Sequence, residues 1–153
     1  MHYLDHAATT PMLDEVVDAM SSLYRREFGN PSSVHAYGRE ARRAVEDARD
    51  KVSGAVGASP SEIVFTGGGT EADNLAIKGT ASKLQASGRH IVVSGFEHHA
   101  VLDPALYLRK QGFDVTVLPV PASGVLAADA VAEAVRNDTI LVSIMAVNNE
   151  IGT

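Results

Sequence analysis

The sequence predicts an α/β protein, a three-layer α/β/α arrangement with a mostly parallel sheet, and three observations carry that expectation. Short runs of apolar and β-branched residues, His90-Ile91-Val92-Val93-Ser94, Asp114-Val115-Thr116-Val117-Leu118 and Ile140-Leu141-Val142-Ser143-Ile144-Met145, read as strands buried on both faces. Segments with helical periodicity alternate with them, the order that places crossover helices over parallel strands. Glycines punctuate the helix ends at Gly57, Gly88 and Gly112.

Taken in order, Thr10-Pro11 reads as a helix N-cap followed by proline at the first helical position. Val16, Val17, Met20 and Tyr24 then form one apolar stripe, which ends before the loop Phe28-Gly29-Asn30-Pro31-Ser32-Ser33. A second helix is expected from about His35 to Val56, with Ala41, Ala44, Val45, Ala48, Val52 and Val56 on its apolar face and Gly57 as its stop. Its opposite face interleaves arginines with acids, including the i,i+4 pairs Arg42–Glu46 and Arg43–Asp47, and so reads as a solvated surface.

The stretch Ile63-Val64-Phe65-Thr66-Gly67-Gly68-Gly69-Thr70-Glu71-Ala72-Asp73-Asn74 reads as a short strand, a glycine turn and a helix start. Three glycines let backbone N–H groups approach a ligand closely, and Thr70 falls at the expected N-cap. The unpaired N–H groups of a first turn and the positive end of the helix dipole favour a phosphate there, while Glu71 and Asp73 suit that dipole too and leave a well-capped helix after a tight turn as the plainer reading. The helix is expected from about Glu71 to Leu84, and the strand from His90 follows Gly88. The next helix runs to about Gln111 with Pro104 expected in its first turn, and a short Ala-rich helix covers roughly Ala128 to Val135.

Ligands of parallel sheets bind at the carboxyl ends of strands, so residues 67–70, 97–99 and 146–150 are expected to converge on one crevice. Glu97-His98-His99 offers metal-ligand types, but adjacent side chains diverge and the i,i+4 spacing of a helical zinc pair is missing. A flat imidazole beside a phosphate site can instead pack against an aromatic ligand ring, or either histidine is simply a polar helix-start residue without chemistry, the reading that periodicity alone favours. Asn148-Asn149, after a buried strand, reads either as a simple turn or as a donor to a ligand oxygen.

At 153 residues and 45% hydrophobic content the chain can build one core. Thirteen basic against 19 acidic residues, a net charge of −6 without a basic cluster, argue against nucleic acid or an anionic membrane as partner. There is no cysteine, hence neither a disulfide framework nor a thiol nucleophile among these residues. Residues 1–6 lack the features of a signal peptide, and no apolar run approaches a membrane span, so a soluble, cytoplasmic protein is expected.

Five segments in order carry a family resemblance: Leu4-Asp5-His6-Ala7-Ala8-Thr9-Thr10-Pro11, Phe28-Gly29-Asn30-Pro31-Ser32-Ser33, Phe65-Thr66-Gly67-Gly68-Gly69-Thr70-Glu71-Ala72-Asp73-Asn74, Glu97-His98-His99-Ala100-Val101 and Val147-Asn148-Asn149-Glu150-Ile151-Gly152-Thr153. Together they resemble the successive signatures of the cysteine desulfurases, pyridoxal 5'-phosphate enzymes of the class V aminotransferase group. The resemblance covers less than half of that family's usual length. It implies the N-terminal part of a fold type I transferase, with residues 1–15 a segment of the small domain or active-site edge and residues 16–153 the first part of the cofactor-binding large domain.

It further implies that Gly69 and Thr70 bind the cofactor phosphate. His98 would stack on the pyridine ring and assist proton transfer, and Asn149 would hydrogen-bond the ring hydroxyl oxygen. Asn30 would lie near the substrate path. In the family, the Schiff-base lysine, the aspartate on the pyridine nitrogen, the substrate-binding arginine and the sulfur-accepting cysteine all lie beyond position 153. Lys51, Lys78, Lys83 and Lys110 fall on expected helices and match no Schiff-base motif, so the chain alone is expected to be inactive.

The implied reaction takes L-cysteine to L-alanine and leaves an enzyme persulfide for iron–sulfur cluster assembly or thiolation, in a homodimer that hands sulfur to an acceptor or scaffold protein. Selenocysteine lyase is a close alternative. A nicotinamide-dependent oxidoreductase is a second, because Gly67-x-Gly69-x-x-Ala72 satisfies the loose dinucleotide fingerprint, although Glu97 comes late for a ribose ligand. A non-catalytic binding fragment is the third.

Overall fold

The computed structural model describes residues 2–153, which divide into two compact units, residues 2–65 and 66–153. The first unit holds helices α1 (Asp14–Arg26) and α2 (Ala36–Val56) and the 3₁₀ turn Pro60–Glu62. Helix α1 starts later than Thr10-Pro11 suggests: its N-cap is Leu13, with no side-chain cap, while Asp14 and Glu15 occupy the first turn where the helix dipole favours acids. Its apolar stripe is real but uncovered, with Val16, Val17, Met20 and Tyr24 all exposed and no residue of the helix buried.

Helix α2 follows the expected bounds closely. His35 caps it by accepting from the Gly38 N–H, and Gly57, at φ 70°, ends it in the left-handed region that glycine enters without a Cβ penalty. Ala41 is buried, but Val52 and Val56 at the far end of the same face are exposed. The expected Arg42–Glu46 pair does not form: Arg42 Nε donates to the Pro31 carbonyl (2.8 Å), and Glu46 pairs with Arg49 (3.1 Å). Arg43 and Asp47 form no ion pair among the described residues either. Long exposed side chains gain little from any one such geometry, so a nearby carbonyl competes successfully.

Residues 63–65 are not a strand. The Ile63 N–H donates to Pro60 O, its carbonyl accepts from Arg49 Nη1, and Val64 and Phe65 are exposed. No strand of the first unit lies beside them among the described residues, and an extended segment without a ladder partner leaves half its backbone groups to other donors and acceptors.

The second unit contains the sheet. Its elements are α3 (Gly69–Leu84), β1 (His90–Ser94), α4 (His99–Lys110), β2 (Asp114–Leu118), α5 (Ala128–Ala134) and β3 (Thr139–Ser143). The strands are parallel in the order β2-β1-β3, with Ile91 opposite both Val115 and Leu141. Every residue of the central strand β1 is buried. Ile91, Val93 and Val115 pack with Ile77 and Ala81 of α3 and with Val101, Ala105 and Leu108 of α4.

His90, fully buried, spans the sheet: Nδ1 meets Thr139 Oγ1 at 2.7 Å and Nε2 meets Thr116 Oγ1 at 2.8 Å. One ring nitrogen donates and the other accepts, so the hydroxyls of both outer strands satisfy the ring. Gly88 lies against the turn before β3, where a Cβ would overlap the Asp138 carbonyl, the group that also accepts from the His90 N–H at 3.0 Å.

Proline 104 is the sixth residue of α4 rather than part of its first turn. A proline there has no N–H for the Ala100 carbonyl. Asn74 Nδ2 of α3 donates to that carbonyl instead, at 3.4 Å, and also to Thr70 O at 2.9 Å. One amide thus repairs the helix and links the starts of α3 and α4.

Candidate functional site

The glycine turn opens α3 two residues before the expected position. Gly68 is the N-cap, in extended backbone, and Thr70 is the second helical residue rather than the cap. The first helical bond runs from the Ala72 N–H to Gly68 O (3.1 Å), so the N–H groups of Gly69, Thr70 and Glu71 donate to no protein group among the described residues. The Glu71 carboxylate folds back to the Gly67 N–H (2.6 Å) and stiffens the turn without engaging those three groups. A Cβ on Gly68 or Gly69 would meet nothing within 4 Å, which leaves this edge open to a ligand.

At the carboxyl end of β1 the chain turns through residues 95–97 into α4. His98 is the N-cap, and its Nδ1 accepts from the Ala100 N–H at 3.0 Å. An accepting Nδ1 carries no proton, so the imidazole is held as the Nε2–H tautomer with its ring orientation fixed. Thr70, Asn74 and His98 line a single open groove of about 360 Å³. His99, beside it, is exposed and sits 3.5 Å from Asp103.

The turn after β3 is built on Asn148, which is buried. Its Nδ2 donates to Phe96 O (3.2 Å), and its Oδ1 accepts from the Glu150 and Ile151 N–H groups (2.9 and 3.0 Å). Asn149 next to it is exposed and makes no protein hydrogen bond among the described residues. Glu97, also buried, accepts from Ser94 Oγ and from the Met145 N–H, both at 2.6 Å.

The structure therefore brings Thr70 and His98 onto one groove and ties the turn carrying Asn149 to the turn that precedes His98. Asn30 belongs to the first unit, in the loop before α2, where its Oδ1 accepts from the Ser32 N–H at 2.8 Å. Sequence reasoning weighed Glu97 only as a disfavoured metal ligand or a late ribose ligand, read Asn148-Asn149 as a turn or a ligand donor without separating the two, and gave Asn74 no role of its own. A signal existed for Asn74, a polar residue one helical turn beyond Thr70, and none for a carboxylate bonding a backbone N–H 48 positions later. Among the described residues no group of three or more His, Cys, Asp or Glu is placed to hold a metal. No described helix is long and apolar enough to cross a membrane. The four lysines lie in helices, Lys51 in α2, Lys78 and Lys83 in α3 and Lys110 in α4.

Open N–H groups at a helix start, with an oriented imidazole on the groove beside them, are groups that an anion and a flat ring can use, carried on an α/β domain. Residues 2–153 match the class-V aminotransferase profile, and the chain belongs to that family. It is 54% identical over 151 residues to the cysteine desulfurase IscS of Dictyoglomus turgidum, covering 99% of this chain and 38% of that protein. It is 52% identical to the putative cysteine desulfurase IscS 1 of Bacillus subtilis, covering 99% and 40%. The chain thus spans about two fifths of the length of these relatives. Among solved structures, it resembles a NifS-like protein with a TM-score of 0.91 at 44% identity, over 96% of this chain and 40% of that one. It also resembles SspA in complex with cysteine, with a TM-score of 0.92 at 43% identity, over 100% and 44%.

Proposed function

We propose that the whole protein is a pyridoxal 5'-phosphate-dependent cysteine desulfurase, with these residues forming part of its cofactor site. The observation that carries the reading is the single groove shared by Thr70 at the open start of α3 and the N-cap imidazole of His98. The residues fit such a group. Three unpaired N–H groups and the Thr70 hydroxyl suit a phosphate dianion, and the helix dipole adds to them. A fixed imidazole suits the face of a pyridine ring, and the exposed Asn149 carboxamide suits a ring hydroxyl.

When bound, pyridoxal phosphate supplies an electron sink that labilises bonds at the substrate α-carbon. The chain's own residues bind and orient: Gly69 and Thr70 hold the phosphate, His98 restricts the ring and presents Nε2 as a proton-carrying group, and Asn149 fixes the ring edge. L-Cysteine is the substrate and L-alanine the product, with sulfur passing as a persulfide to an acceptor or scaffold protein for iron–sulfur cluster assembly or thiolation. A Schiff-base lysine and a sulfur-accepting thiolate complete the reaction. No cysteine is present here, so that thiolate comes from outside these 153 residues, which alone are inactive. The whole protein acts as a cytoplasmic homodimer. Selenocysteine is an alternative substrate of the same site chemistry.

Absorption spectroscopy of the full-length protein tests the reading. A visible cofactor band removed by borohydride is expected, and Thr70→Ala weakens pyridoxal phosphate binding roughly tenfold, the scale of a charge-assisted hydrogen bond. Absence of the band together with tight nicotinamide binding overturns the proposal.

A further inference from the structure

We infer that Glu97 is a positioning residue that locks the turn after β1 to the turn after β3, fixing the His98 imidazole and the Asn149 carboxamide relative to one ligand. The inference rests on the cofactor reading above. Glu97 immediately precedes His98, and its side chain is buried. Its Oε1 takes two short hydrogen bonds, from Ser94 Oγ within its own turn and from the backbone N–H of Met145 beyond the end of β3, both 2.6 Å. Asn148, immediately before Asn149, reaches the other way, from the β3 turn to the Phe96 carbonyl at 3.2 Å. The two turns are cross-linked from both sides, each link adjacent to one of the two exposed side chains.

These links add little that the sheet needs. The parallel ladder already joins β1 to β3 as far as Val93 and Ser143, and the Glu97 and Asn148 bonds lie beyond it, at the strand ends. Burying a carboxylate carries a large desolvation cost, and well-packed apolar residues commonly stabilise a fold as well or better. What two short bonds to one carboxylate oxygen supply is geometry, because bonds of this kind are strong and directional. A flexible β3 turn would leave Asn149 to be ordered each time a ligand binds, an entropy cost that a pre-set turn avoids.

The test uses apo and cofactor-loaded full-length protein. Three quantities are read: the Kd for pyridoxal phosphate, the absorption maximum of the bound form, and the Tm of the apoprotein. Glu97→Ala is expected to weaken binding roughly tenfold and to shift the absorption maximum, while Glu97→Gln, whose amide oxygen can still accept, recovers most of both. In an Asn149→Ala background Glu97→Ala is expected to lose less in Kd than in the parent, since part of its action runs through that turn. Should Glu97→Ala not fold, Ser94→Ala, which frees one of the two tethers, is read by the same criteria with an expected loss of roughly threefold. A lowered Tm with parental Kd and absorption maximum, or fully additive losses with Asn149→Ala, makes Glu97 a fold-maintaining residue and overturns the inference. A parent protein that binds no pyridoxal phosphate overturns the functional reading itself, and this inference with it.

Discussion

The two units of the chain use similar amphipathic patterns to different effect. In residues 66–153, the apolar positions of α3 and α4 close over β1, and Ile91, Val92 and Val93 lose all contact with solvent. In residues 2–65, α1 has a comparable stripe but buries nothing, and α2 buries only Gly38, Ala41 and Ser53. Periodicity therefore records which face a helix offers to a partner, and a sheet to receive that face is what converts it into a core.

Substitutions at matched apolar positions should break this contrast most sharply. Ile91→Ala in the second unit is expected to cost about 3 kcal/mol in chemical denaturation, through lost burial and the cavity left behind. Val17→Ala in α1 should stay within about 0.5 kcal/mol, as for other exposed sites. Equal effects would mean that α1 is covered in solution.

A smaller effect tests how the two helices of the second unit are joined. Asn74→Ala leaves the Ala100 carbonyl unpaired and is expected to cost about 1 kcal/mol. Pro104→Ala restores the helical donor, so in that background the Asn74→Ala cost should shrink, a coupling that a double-mutant cycle measures. Additive losses would show that the amide serves Thr70 alone.

The smallest effect lies at the sheet rim, where Arg136 Nη1 contacts Asp114 (2.6 Å) and Nε contacts Asp138 (3.0 Å). Hydrogen bonds from this guanidinium hold both carboxyls below the ordinary aspartate range. A depressed folded-state pKa stabilises above the unfolded value, near 4, and is lost as pH falls through the folded one. Arg136→Ala should therefore lower Tm slightly at pH 7, and the difference should shrink as pH falls below about 4. Because all three groups are exposed, high salt should shrink the difference.

Much of the second unit was legible in the sequence. The strands at residues 90–94 and 114–118 have the expected bounds because a helix-ending glycine precedes each short β-branched run and Gly95 or Pro119 follows it. The third strand runs from Thr139 to Ser143 rather than from Ile140 to Met145, since the Met145 N–H is taken by a carboxylate that no local pattern reveals. Thr70 misled as a cap because three glycines let the helix begin on backbone alone, with Glu71 bonding the turn from within. Residues 63–65 misled because β-propensity describes fit to a sheet, and no neighbouring strand of their unit supplies one. The three segments expected at the site were legible as motifs, but the first follows no strand, and of the three only Thr70, His98 and His99 line the shared groove. The buried side chains that tie two of the segments together were not legible, because such bonds depend on contacts dozens of residues apart.

The bare backbone at Gly88 carries a consequence for the tolerance of this fold to change. The peptide after α3 touches the Asp138 carbonyl where any larger residue would collide, and that same carbonyl receives the first N–H of the central strand. Alanine there would push the entry of β3 outward and unseat His90 from Thr139, so one methyl group would loosen three strands at once. Drift at position 88 is barred by geometry alone, independently of anything the groove at the opposite end of the sheet binds.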